Sequence, residues 1–263
     1  MFQYLIAGLL AGVHRASWGA FKDSPYEGFR VQAYLRSILL SLLWSMFWFL
    51  WLPGKVSVVQ PLYIFLMVIL LDTLTVEIYK LFFRIENQKK YKIPSRFHLW
   101  NKEVNPEWQR NIIGVILSGL LIVIFSSLFS VNLGTDPTKR FFIGMMLGFI
   151  AGLCEAVGGM WKDAPFEGFE PLKFFRSPVV GTIAGSILFL FQTNLGVGML
   201  ATFGADRMLI ETYKTFILRR RNGRFLSKKP LFSKELSLRK YLVIPYSITW
   251  IYLVFNFLGL VIK

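Results

Sequence analysis

Apolar runs of about 20 residues recur from one end of this chain to the other, long enough to cross the hydrocarbon core of a bilayer as helices. Eight spans are expected, at about Phe2–Ala20, Tyr34–Leu52, Leu62–Phe83, Ile112–Phe129, Phe141–Met160, Phe174–Phe191, Leu195–Leu218 and Tyr241–Val261. The composition agrees. Of the 263 residues 54% are apolar and 17% aromatic, against roughly 45–50% apolar for a soluble domain. The formal charge of +15 concentrates between the runs, which reads as positive-inside loops rather than a nucleic-acid surface. The lipid bilayer is therefore the expected partner, and no nucleic acid is.

The second constraint is an internal duplication. FKDSPYEGFRVQAYLRS at residues 21–37 returns as WKDAPFEGFEPLKFFRS at 161–177. Lys22, Asp23, Glu27 and Arg36 thus match Lys162, Asp163, Glu167 and Arg176 at a constant offset (162 − 22 = 140). A second motif follows each copy. LDTLTVEIYK and ADRMLIETYK align Asp72, Glu77, Tyr79 and Lys80 with Asp206, Glu211, Tyr213 and Lys214. Two motifs in the same order in both halves mean a repeat. The expected architecture is an all-α polytopic membrane protein of two parallel four-helix repeats, 1–131 and 132–263. A pseudo-two-fold axis along the membrane normal would relate them. Gly8, Gly12 and Gly19 match Gly148, Gly152 and Gly159, with Gly144 extending the second series. Glycines four apart let another helix approach closely. His14 and Arg15 face Cys154 and Glu155 across the repeat, so their role is not shared.

Sidedness follows from charge. Residues 84–110 hold seven Lys or Arg against three Glu, and residues 219–240 nine against one. Both segments are expected in the cytoplasm, with both KDxPxEGF motifs as cytoplasmic loops, both termini outside, and the plasma membrane as the location. No basic residues precede the run that starts at Phe2, so no cleavable signal peptide is expected. A single cysteine, Cys154, excludes an intrachain disulfide framework.

Asp72 falls about eleven residues into its span, roughly 15 Å deep. Asp206 is equivalent. Ionisable groups at that depth usually face a bundle interior or a wet cavity and mark function. Asp72, Glu77, Tyr79 and Lys80, with Asp206, Glu211, Tyr213 and Lys214, are the expected substrate or ion pathway, and in a transport role the two aspartates should lack a permanent cationic partner in at least one state. The leading expectation is a transporter or channel-like protein moving an ion, a proton-coupled solute or an anionic lipid between the repeats. The alternative is a membrane-embedded enzyme acting on a phosphorylated or diphosphate lipid at the cytoplasmic face. Its Mg²⁺ would sit on Asp23, Glu27, Asp163 and Glu167, with Arg36 and Arg176 on phosphate oxygens. P-loop, H-E-x-x-H and G-x-S-x-G motifs are absent. No metal site or cofactor is otherwise expected, and no motif sets an oligomeric state.

Overall fold

The computed structural model describes residues 1–53, 59–86, 91–93, 95–99, 102–218 and 229–262. Eight helices of 18 residues or more dominate them. These are α1 (Phe2–Glu27), α2 (Val31–Trp51), α3 (Pro61–Ile78), α4 (Glu107–Leu128), α5 (Pro137–Glu167), α6 (Pro171–Leu190), α7 (Leu195–Thr212) and α9 (Val243–Val261). A short α8 (Ser233–Leu238) and a 3₁₀ turn, Arg239–Leu242, lead into α9. Strands β1 (His98–Leu99) and β2 (Lys102–Glu103) form one small antiparallel hairpin before α4.

Six stretches are long and apolar enough to cross a membrane: α2, α3 with its extension to Phe83, α4, α5, α6 and the run from α8 through α9. The chain is an all-α, multi-pass membrane protein. Eight spans were expected. The two helices outside the six are α1, which carries His14, Arg15, Lys22 and Asp23, and α7, which carries Asp206, Arg207 and Glu211.

The described residues fall into two compact units. The first consists of residues 1–72 with 212–218 and 229–262, and the second of 73–211. The divisions fall inside α3 and at the end of α7. In the first unit α1 crosses α2, and α9 packs along α1. In the second, α5 and α6 form the most extensive helix pair.

Small residues make both crossings. A Cβ on Gly12 would sit 2.6 Å from the Cα of Ile38, and one on Gly8 would strike Ser45. On α5 a Cβ at Gly144 would lie 2.5 Å from the Gly185 carbonyl oxygen, while Gly148 abuts Gly181 and Gly152 abuts Ser177 and Pro178. The 140-residue offset that links Gly12 to Gly152 also links Ile38 to Pro178 and Ser41 to Gly181. The two helix pairs therefore cross in the same register, each glycine face meeting the helix that follows it.

The KDxPxEGF motifs are not loops, which corrects the expectation. α1 continues through Lys22, Asp23 and Pro25 to Glu27, and α5 through Lys162, Asp163 and Pro165 to Glu167. Each proline lies in a last turn, where its missing N–H and its ring perturb only the carbonyls just before it. Chain reversal is left to three residues, with Gly28 at φ 77° and Gly168 at φ 82°. Glycine adopts that backbone at no steric cost. The freed carbonyl of Pro25 accepts the backbone N–H groups of Leu231 and Phe232, at 2.9 and 3.1 Å.

A further feature repeats that the sequence did not announce. α3 ends in a π-helical turn, Tyr79–Phe83, and α7 in another, Tyr213–Ile217. Both begin at the tyrosine of the second motif. π-turns are rare and cluster at functional sites. Their carbonyls need partners outside the helix. Leu81 O accepts from Phe97 N at 2.9 Å and Phe82 O from the buried Arg110 Nε at 2.9 Å, while Gly114 lets α4 close onto the Phe82 ring.

Candidate functional site

The first unit holds a sealed polar core. Arg15 on α1 donates from Nε to Asp72 Oδ2 on α3 at 3.0 Å, with side-chain exposures of 9% and 1%. Asp72 therefore has a cationic partner in this structure. The physical reason is the cost of an ionised carboxylate in an apolar bundle, which a nearby guanidinium offsets. Just over two turns of α1, from His14 to Lys22, carry the rest. His14 stacks on Tyr246 at 4.5 Å, and its Nδ1 lies 3.2 Å from Thr249 Oγ1. Trp18 Nε1 donates to Thr215 Oγ1 at 2.8 Å, and Phe21 packs on Phe216 at 4.8 Å. Thr215 and Phe216 belong to the second π-turn, so that turn is built against α1. Arg15 and Lys22 both lie over the Trp18 ring, at 5.3 and 4.9 Å, where the negative ring face attracts a cation.

The second unit holds a different arrangement. Glu77 on α3 takes a hydrogen bond from Lys80 at 2.9 Å, one turn on, and a second from Lys162 of α5 at 3.4 Å. On α7, Arg207 pairs with the buried Glu211 at 2.6 Å, and Glu155 and Glu77 also lie within electrostatic reach of its guanidinium. Asp206 is fully buried beside it. Four acids and three cations thus gather on α3, its π-turn, α5 and α7. The side chains of Glu77, Lys80, Lys162 and Arg207 keep exposures of 21–31%, so the cluster is not sealed.

Across the repeat the charges are exchanged. Position 15 is an arginine facing an acid on α3, whereas its counterpart Glu155 lies within reach of an arginine on α7. That was not legible from the sequence, where Arg15 and Glu155 differ and were set aside as unshared. Arg110 and His14 were also missed as structural groups. Their signal was burial, which no local pattern announced.

The motif residues divide. Lys162 enters the cluster, while Lys22 does not reach a carboxylate among the described residues. Asp163 and Glu167 share Lys173, at 3.4 and 3.1 Å, and position 33 in the first copy is alanine. Glu27 pairs with Arg30 at 3.4 Å instead. Tyr79 and Tyr213 are exposed, at 51% and 37%, and Lys214 is half-buried. Arg36 is exposed and Arg176 half-buried at the heads of α2 and α6. Among the described residues no three His, Cys, Asp or Glu side chains stand close enough together to hold a metal ion. No protein-family model, curated protein or solved structure matches this chain, so its chemistry rests on these contacts alone.

Proposed function

We propose that this chain is a membrane transporter that moves an ion or a proton-coupled solute along a polar path built on Glu77, Lys80, Lys162, Arg207 and Glu211, with Asp206 beside it. The observation that carries the reading is the open cluster of mixed charge on α3, α5 and α7. Ionisable groups on membrane helices are costly, and chains that keep several of them use them for ion pathways or proton relays. Acids and cations that stay partly accessible can exchange partners as a charged cargo passes. With four acids to three cations, the cluster suits a small ion or solute better than a lipid anion, which would need a surplus of cations. Asp72, locked to Arg15, is assigned a bracing role.

The two halves, 1–131 and 132–263, are proposed to be parallel four-helix repeats about an axis along the membrane normal. Support comes from the shared register of the α1–α2 and α5–α6 crossings and from the paired π-turns. The basic segments are proposed to face the cytoplasm, and the membrane to be the plasma membrane. The lipid-phosphate enzyme has weaker support, because Lys173 occupies the space between two of its metal ligands, Asp163 and Glu167.

The test is flux in proteoliposomes holding the purified full chain, with protons, alkali cations, chloride and phosphate as cargo. Glu77→Gln and Lys162→Met should each lower the flux of the active cargo at least about tenfold, with little loss of thermal stability. Unchanged flux in both variants, or no flux of any of these ions by the wild type, defeats the reading.

A further inference from the structure

The head of α2 carries a feature that the polar path does not use. Arg30, Val31, Gln32, Ala33 and Arg36 line an open recess of about 480 Å³. Arg30 keeps one carboxylate, Glu27 at 3.4 Å, with its own side chain 53% exposed. Arg36 makes no ion pair among the described residues. One more cation stands near the same end of α1. Arg239 lies over the Phe21 ring at 4.8 Å, and Phe232 of the preceding segment packs against Gly28, two residues before Arg30. Directly beyond the arginines, Val31, Leu35, Leu39 and Leu43 are all more than half exposed. Spaced by four, they form one apolar ridge down the outer surface of a helix long enough to cross the membrane.

A recess bearing two guanidiniums, continued by an apolar ridge along a membrane helix, matches one kind of molecule: a charged phosphate headgroup with acyl chains attached. We propose that this recess binds the headgroup of an anionic phospholipid, with its chains lying along Val31, Leu35, Leu39 and Leu43. Guanidinium forks match phosphate oxygens two at a time, which a zwitterionic headgroup partly cancels with its own cation. The site belongs to the first copy alone. The residue matching Arg30 is Glu170, a negative charge where the headgroup phosphate would sit, and the ridge positions match Pro171, Phe175, Val179 and Ile183. The lipid here is a bound component of the protein's surface rather than its cargo, so the proposal does not depend on the transport reading.

The experiment is equilibrium binding of short-chain phosphatidylglycerol to the detergent-purified full chain, with phosphatidylcholine of the same chains and inorganic phosphate as parallel arms. Wild type should bind phosphatidylglycerol at least about tenfold more tightly than phosphatidylcholine, with binding weakening as salt rises. Arg30→Gln/Arg36→Gln should erase most of that preference, and Arg176→Gln in the second copy should leave it intact. Equal binding of the two lipids by the wild type, preference retained in the double variant, or an equal loss in Arg176→Gln overturns the proposal. So does full competition by inorganic phosphate at equal concentration, which would mark a free-anion site. The wild-type salt series and lipid comparison decide the matter even if the double variant fails to fold. Flux is not the readout, so failure here leaves the transport reading standing.

Discussion

The two polar regions use the same kinds of residue and reach opposite states. Around Asp72 the carboxylate meets the Arg15 guanidinium and both are closed away from solvent, and the preceding residue of α1, His14, packs on Tyr246 and Thr249. Around Glu77 an acid meets two lysines, an arginine lies within reach, and all four side chains stay about a quarter exposed. A sealed pair is stable in a single arrangement, because separating it strands a buried charge. An open cluster of alternating sign can rearrange at little cost, since each group finds another partner or water. On the proposed reading, bracing and conduction differ by burial, not by residue type.

The comparison breaks most readily at the sealed pair. Asp72→Asn removes the carboxylate that the buried Arg15 guanidinium is bonded to, and should cost about 3–5 kcal/mol, read as a large fall in the unfolding temperature of the purified protein. Glu77→Gln should cost under about 1 kcal/mol, the range of partly exposed pairs. If the two variants lose stability equally, the distinction drawn here is false. Arg15→Met combined with Asp72→Asn should recover most of the loss, since removing both charges leaves neither stranded.

Next in size is the helix crossing. Gly152→Leu places a side chain against the Ser177 carbonyl and Pro178, and Gly12→Leu places one against the Ile38 backbone. Each should cost about 1–3 kcal/mol or more through overpacking. Gly19→Leu and Gly159→Leu meet nothing within 4 Å and should be mild. Expression and monodispersity of the four variants measure this, and a harmful Gly159→Leu would show that the glycine series means something other than the crossings.

A smaller stability effect with a functional reading sharpens the contrast further. Glu155→Gln removes one acid near Arg207 but leaves Glu211 bonded to it at 2.6 Å. Thermal stability should hold within about 1 kcal/mol, while flux of the active cargo falls. A stability loss as large as that of Asp72→Asn would make the second cluster a brace like the first.

The least perturbing test is of sidedness. With Cys154 replaced, cysteines at Lys92 and Lys234, both in described parts of the basic segments, should resist an impermeant thiol reagent in intact cells. Labelling of either from outside reverses the proposed orientation. Lys228, another marker for the second segment, lies outside the described residues.

Helices, apolar spans and glycine faces were legible in the sequence because each depends on near neighbours. A run of 20 apolar side chains has one stable form in a bilayer, and glycines four apart share a face wherever the helix packs. What these helices do to each other's charges was not legible. Arg15 and Asp72 are 57 residues apart, and Lys162 and Glu77 are 85 apart. The repeat comparison even pointed away from Arg15, since its counterpart is an acid. The π-turns were hidden for a related reason: one turn wound wider needs no distinctive composition, only outside partners such as Phe97 and Arg110 for the carbonyls it frees. The KDxPxEGF motifs read as loops but are helical as far as Glu27 and Glu167, because a proline's effect depends on how many helical residues follow it. The sequence by itself determined where the long apolar helices fall and which residues recur. Tertiary structure alone decided which buried charges are neutralised and which stay open, because that depends on what arrives across space to share the burial.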